Sequence, residues 1–223
     1  MKKQAWIIIA ISVVCCAVMG IVDAVIQPVY WVKSAFKVAL FLIFPAIFAL
    51  CYNDFGIKKL FMPNKKGIKT ALLLCIPLYI LILGVYLLLK DVFDFSGVTS
   101  ALTGNIGVNK SNFVFVAIYI SFANSLLEEF FFRGFSFLTL KKYTTRKFAY
   151  IFSAFLFSIY HIAMMTGWFS IWVFIIALLG LFVGGLIFNF LNEKNSNLYT
   201  SWFVHMSANF AINTIGFMLF GII

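Results

Sequence analysis

Seven apolar runs follow one another with little between them. They cover roughly residues 6–22, 35–52, 70–89, 113–140, 148–165, 168–191 and 198–221 of a 223-residue chain. A bilayer-spanning helix needs about 20 apolar residues, so each run is long enough to cross, or nearly so. Only helices and closed barrels satisfy their backbone groups in lipid, and the runs lack the period-two alternation of barrel strands. Hydrophobic residues make up 64% of the chain and charged residues 11%, too few polar groups to cover a soluble fold. The expectation is an all-α, polytopic transmembrane bundle of about seven to eight helices. It forms a single membrane-embedded domain over residues 1–223, in the lipid bilayer of the cell membrane.

The net charge of +10 does not signal nucleic acid, because no basic stripe interleaves with accessible aromatics. The cations sit at the edges of the runs. With the N-terminus inside, the inner side holds Lys2, Lys3, Lys58, Lys59, Lys65, Lys66, Lys69, Lys141, Lys142, Arg146, Lys147 and Lys194. The outer side holds Lys33, Lys37, Lys90 and Lys110. The positive-inside rule then predicts a cytoplasmic N-terminus and an extracellular C-terminus. The basic start at Met1–Lys3 reads as the head of an uncleaved first span. Residues 90–112 read as an external connector. Cys15, Cys16, Cys51 and Cys75 lie in or at the ends of apolar runs without a CxxC pair, as small apolar thiols do. Gly180 and Gly184, extended by Gly185, form a GxxxG, which predicts a close helix contact.

Ionisable groups in hydrocarbon are costly and mark function. Here they are Glu128, Glu129, Arg133, His161 and His205. The other acids, Asp23, Asp54, Asp91, Asp94 and Glu193, lie in or beside loops. At about 1.5 Å rise per residue, Glu128 lies roughly 20 Å from Lys141, His161 roughly 21 Å from Lys147, and His205 roughly 17 Å from Lys194. Asn209 lies one turn beyond His205. Three helices thus bring polar groups to one depth, nearer the inner loops, which predicts water access from that side for a hydrolase. Glu129 and Arg133 are spaced i,i+4 in the favoured order for an ion pair, so Arg133 is expected to support Glu129 and leave Glu128 free. Ser201, His205, Asn209 and Asn213 recur every four residues along one face.

A desolvated carboxylate is a competent base. Glu128 with His161 can deprotonate a water, and His205 with Asn209 can meet a developing oxyanion. The same chemistry serves a metal site, with Glu128, His161 and His205 as zinc ligands, although HExxH is absent. No cofactor is firmly expected, and zinc stays open. P-loop, dinucleotide and GxSxG patterns are absent, and nothing singles out one of Ser158, Ser201 and Ser207 as a nucleophile.

Three motifs stand in order: EExxxR at Glu128–Arg133, FxxxH at Phe157–His161 and HxxxN at His205–Asn209. Together, over a core of about residues 113–213, they resemble the CPBP family, the CAAX protease and bacteriocin-processing (Abi) group of intramembrane endopeptidases. The resemblance implies that Glu128 and His161 activate water, that His205 and Asn209 stabilise the oxyanion, and that Glu129 and Arg133 give structural support. The family was first labelled metalloproteases. Eukaryotic relatives trim prenylated CAAX tails. Bacterial relatives are linked to pheromone or bacteriocin maturation, to self-immunity, and to lipoprotein N-acylation. The implied substrate is a membrane peptide, prepeptide or lipoprotein. Acyl transfer and a non-catalytic immunity, scaffold or transport role are the alternatives. A transferase acting on lipoproteins would need a pocket opening laterally and outward, near residues 90–112 and Thr166–Trp168. For transport, both an inverted repeat and a polar path through both leaflets are missing.

Overall fold

The computed structural model describes residues 2–52, 56–195 and 197–223; Met1 and Asp54, used above, lie outside them. Among the described residues every regular element is helical. Six helices are long and apolar enough to cross a membrane. They are α1 (Lys3–Ile26), α2 (Tyr30–Cys51), α4 (Lys65–Leu89), α6 (Phe113–Lys142), α7 (Arg146–Met165) and α8 (Ile171–Asn195). The last helix, α9 (Tyr199–Leu219), has 21 residues but is too polar to join that set, because Ser201, His205, Ser207, Asn209 and Asn213 all face inward and are buried. It is the seventh apolar run all the same. Two shorter helices, α3 (Ile57–Leu60) and α5 (Ser96–Ile106), complete the set. The chain is a multi-pass membrane protein.

Local chemistry sets the helix starts. Asn64 Oδ1 accepts the N–H groups of Lys66 and Gly67 at the head of α4, and Thr145 Oγ1 accepts that of Phe148 at the head of α7. Each satisfies donors that a helix start leaves unpaired. Residues 90–112 are more than a connector: α5 occupies half of them. Asp94 opens it by accepting from the Ser96 N–H at 2.8 Å and the Ser96 hydroxyl at 3.0 Å.

Helix α6 runs through the middle of the bundle and widens into π turns at Ile120–Asn124 and Glu129–Thr139. Such turns recur at functional sites because they release backbone carbonyls from the helical ladder. Its second half is walled by phenylalanine. Phe131, Phe132, Phe135 and Phe137 are all fully buried, and Phe41 of α2 stacks on Phe131 at 4.0 Å.

Small residues mark the close contacts, but not as the GxxxG predicts. A Cβ on Gly180 or Gly184 would meet nothing within 4 Å, whereas one on Gly185 would lie 3.0 Å from Ala154 Cα. The motif faces outward, and only its extension joins α8 to α7. Gly67 plays the same part between α4 and α9, where its Cβ would strike Thr200. The four cysteines are free; Cys15 and Cys16 are buried, while Cys51, at the end of α2, is exposed.

Candidate active site

Four helices supply the site. Helix α6 brings Glu128 and Glu129 at the point where its second set of π turns begins, so neighbouring carboxylates reach one partner. That partner is His205 of α9. Its Nδ1 lies 3.0 Å from Glu129 Oε1, and its Nε2 lies 3.6 Å from Glu128 Oε2. The imidazole therefore bridges the two acids. Glu129 also accepts a hydrogen bond from the Ser201 hydroxyl, one turn earlier on α9.

Arg133 completes the support, as the i,i+4 spacing predicts. Its Nε lies 3.6 Å from Glu129 Oε1, and neither side chain has any exposure. Its Cζ lies 4.0 Å from the Phe157 ring and 5.0 Å from that of Phe188. None of its three nitrogens finds a hydrogen-bond acceptor. The guanidinium is thus held by one carboxylate and by aromatic faces, an arrangement a delocalised, weakly hydrated cation tolerates.

His161 of α7 sits across the same ring. Phe157 meets the His161 ring edge-on at 4.7 Å and the His205 ring at 6.0 Å, so both imidazoles flank one phenylalanine. His161 Nδ1 is 2.7 Å from the Phe157 carbonyl. A carbonyl only accepts, so Nδ1 carries the proton, and the neutral ring keeps its acceptor on Nε2. His161 lies within electrostatic reach of Glu128 and His205.

The structure adds a residue that the sequence reading put in an outer loop. Lys37 of α2 points inward, and its Nζ bonds Glu128 Oε1 and, at 2.6 Å, Asn124 Oδ1. The Asn124 amide donates to the same Glu128 oxygen at 3.1 Å. Lys37 Nζ also lies 5.1 Å from the centre of the Tyr160 ring. Glu128 is therefore not a lone buried carboxylate: one oxygen carries an ammonium and the other turns to His205. Lys33, one turn before Lys37, is buried as well and pairs with Asp23 of α1 at 2.7 Å. Both lysines sit near the start of an apolar run, and a count of loop charges assigned them outside. Their i,i+4 spacing was the available signal.

Asn209 follows His205 by one turn on α9 and has one of its two amide N–H groups committed to the backbone of α6. Its Nδ2 donates to the Ile120 carbonyl at 3.1 Å, and Asn213 does the same to the Ala117 carbonyl at 3.1 Å. Both fasten α9 beside the first π turn of α6. The three serines are occupied elsewhere: Ser158 on the Leu178 carbonyl, Ser207 on the Cys75 carbonyl and Ser201 on Glu129.

The zinc set fits poorly. Glu128 already holds an ammonium and His205 is committed to Glu129. Among the described residues no three of His, Cys, Asp and Glu converge as ligands. No step below runs through a metal.

These residues, apart from the two lysines, Asp23, Cys75 and Asn213, fall in one stretch. Residues 110–211 match the family model described as Type II CAAX prenyl endopeptidase Rce1-like. The matched stretch is Rce1-like. It contains all three motifs, so the resemblance to the CPBP family expected above holds there. No curated protein and no solved structure matches the chain. The Rce1-like stretch excludes α1 and α2, and with them Asp23, Lys33 and Lys37.

Proposed function

We propose that the chain is an intramembrane endopeptidase that hydrolyses an amide bond of a membrane-associated peptide, prepeptide or lipoprotein. The observation that carries this reading is the meeting of Glu128 with two imidazoles in one buried layer inside the matched stretch. A water between Glu128 Oε2 and His161 Nε2 gives up a proton to them as its oxygen adds to the substrate carbonyl carbon. The negative charge that develops on the carbonyl oxygen is met by an N–H donated from His205 Nε2. The second N–H of Asn209 Nδ2 joins it, the first being used on Ile120. The C–N bond then breaks and the proton passes to the leaving nitrogen. Lys37 and Asn124 fix the other oxygen of Glu128, so the free oxygen faces the imidazoles.

In this reading the N-terminus is cytoplasmic and the C-terminus extracellular. The lysine distribution supports this more strongly now, because the inward-turned Lys33 and Lys37 leave the outer count. A transferase acting on lipoproteins needs the same base and another acceptor. The family match is to an endopeptidase, which puts hydrolysis first.

The test is a comparison of peptide and protein termini in membranes carrying wild type, Glu128→Gln or His161→Ala, each checked for folded yield. New termini are expected in wild type only, with turnover down about 10²–10⁴-fold in the variants. Identical termini from well-folded Glu128→Gln would end the reading. Lipoproteins that gain an acyl group without any newly cut peptide would replace it by acyl transfer.

A further inference from the structure

Hydrolysis inside a bilayer consumes one water per bond cut, and lipid supplies none. The lysine-rich end of α6 and α7 is the nearer aqueous side by sequence depth, but among the described residues α6 is densely packed on that side. Between Glu128 and Lys141 lie Arg133 and the buried Phe131, Phe132, Phe135, Phe137 and Leu140, all without exposure.

The opposite end is open. A cavity of about 100 Å³ is lined by Asp23, Gln27 and Lys33, by α5, and by Ala163, Thr166 and Trp168. Ala163 is two residues past His161, and Lys33 is one turn before Lys37. The floor therefore lies about one helical turn, roughly 5.4 Å, from the Glu128 layer. A second cavity of about 430 Å³ shares Trp168 and is lined by the head of α5 and residues 167–170. At its rim α5 presses so closely that a Cβ on Gly97 would lie 2.7 Å from the carbonyl oxygens of Gly167 and Trp168.

The floor has unmet hydrogen-bonding needs. Asp23 Oδ1 faces the Lys33 ammonium at 2.7 Å, while its other carboxylate oxygen is buried without a hydrogen-bond donor. Deeper in, the Tyr160 hydroxyl is buried and equally unpartnered, in the field of both Glu128 and Asp23. Buried polar groups nearly always find partners, in the protein or in ordered water. Waters meet such needs where a polar site has room. The inner cavity has room for several waters. Gln27, in the left-handed backbone region at φ 45°, turns the chain between α1 and α2 at the same wall.

We propose that this cavity is the water port of the site, a hydrated inlet that runs from the α5 side past Asp23, Lys33 and Tyr160 to Glu128. Its role as a supply of reactant rests on the hydrolytic reading; its hydration does not. Neighbours on α7 provide the test. Ala163 lines the cavity, whereas Ile162, at the same depth, faces outward and is 39% exposed. Ala163→Cys and Ile162→Cys are made in the full chain in lipid vesicles and treated with a methanethiosulfonate trimethylammonium reagent, with wild type as the baseline for native thiols. The reaction needs a hydrated thiolate, so Ala163→Cys should react at least about tenfold faster than Ile162→Cys. The finished adduct should lower production of new termini by about tenfold or more. Ala101→Cys, on α5 across the cavity, serves if Ala163→Cys does not fold. Equal rates at cavity and control positions would overturn the port, as would a complete adduct that leaves processing unchanged. Fast labelling together with termini indifferent to Glu128→Gln would leave the inlet standing and remove hydrolysis instead.

Discussion

Replacing Arg133 tests how a fully buried guanidinium is tolerated in this bundle. Arg133→Met keeps much of the volume between Phe157 and Phe188 but removes the charge beside Glu129. Glu129 is left without exposure, with Ser201 and His205 as its only named partners. Breaking one side of a buried pair costs about 3–5 kcal/mol, which is roughly two to three and a half decades in the unfolding equilibrium at 1.4 kcal/mol per decade. For a domain of this size the melting temperature should fall by about 6–20 °C. Two aromatic contacts at 4.0 and 5.0 Å, worth about 0.5–2 kcal/mol each, are lost in the same change and push the result toward the upper end. The assay is thermal unfolding of purified protein in a fixed detergent, followed by light scattering and near-ultraviolet circular dichroism. The double variant Arg133→Met with Glu129→Gln removes both charges and should recover most of the loss, because an uncharged pair leaves nothing stranded. If Arg133→Met alone melts with wild type, or the double variant melts lower than the single, the ion pair is not what holds this layer.

Lys37→Met should lose about 3–5 kcal/mol of stability by stranding Glu128, and Lys37→Arg should recover part of it. A hydrophobic carbodiimide should join Lys37 to Glu128 in an amide visible by mass spectrometry; recovery of both peptides uncrosslinked would refute the contact. Gly185→Val should destabilise by about 1–3 kcal/mol because its side chain meets Ala154. Gly180→Ala, open on that side, should be neutral or stabilise by up to about 1 kcal/mol; equal effects at the two positions would refute the assignment of the contact to Gly185. Processing should survive a strong chelator, and a loss restored by zinc would refute the metal-free chemistry.

The positions of the spans were legible because length in lipid leaves few choices: each of the seven apolar runs corresponds to a helix. Glu129 with Arg133 was legible because the spacing is local. Lys37 with Glu128 was not, since the partners stand 91 residues apart and a lysine near the edge of an apolar run looks like any loop cation. The GxxxG failed for a related reason. Spacing shows that Gly180 and Gly184 share a face, but which way that face turns is decided by the neighbours of α8. Asn209 was read from its face alone, and its first bond goes to a carbonyl beside a π turn that the apolar pattern does not reveal. The expected direction of water access rests on depth along the helices, whereas the proposed port rests on what fills the space around them.

The pairing of Lys37 with Glu128 also bears on how the chain is made. A charge within an isolated span is costly during insertion, up to about 2.5–3.5 kcal/mol at the centre and less toward the ends. Helices α1 and α2 can enter the bilayer together as a hairpin, with Asp23 and Lys33 neutralising each other. Lys37 has no such partner until α6 emerges, after α4 and α5 have been synthesised. The newborn first two spans therefore carry one unneutralised cation through most of the first half of translation. A fragment ending before residue 113 keeps it for good, and such fragments are expected to be held at the insertion machinery or degraded rather than released into lipid.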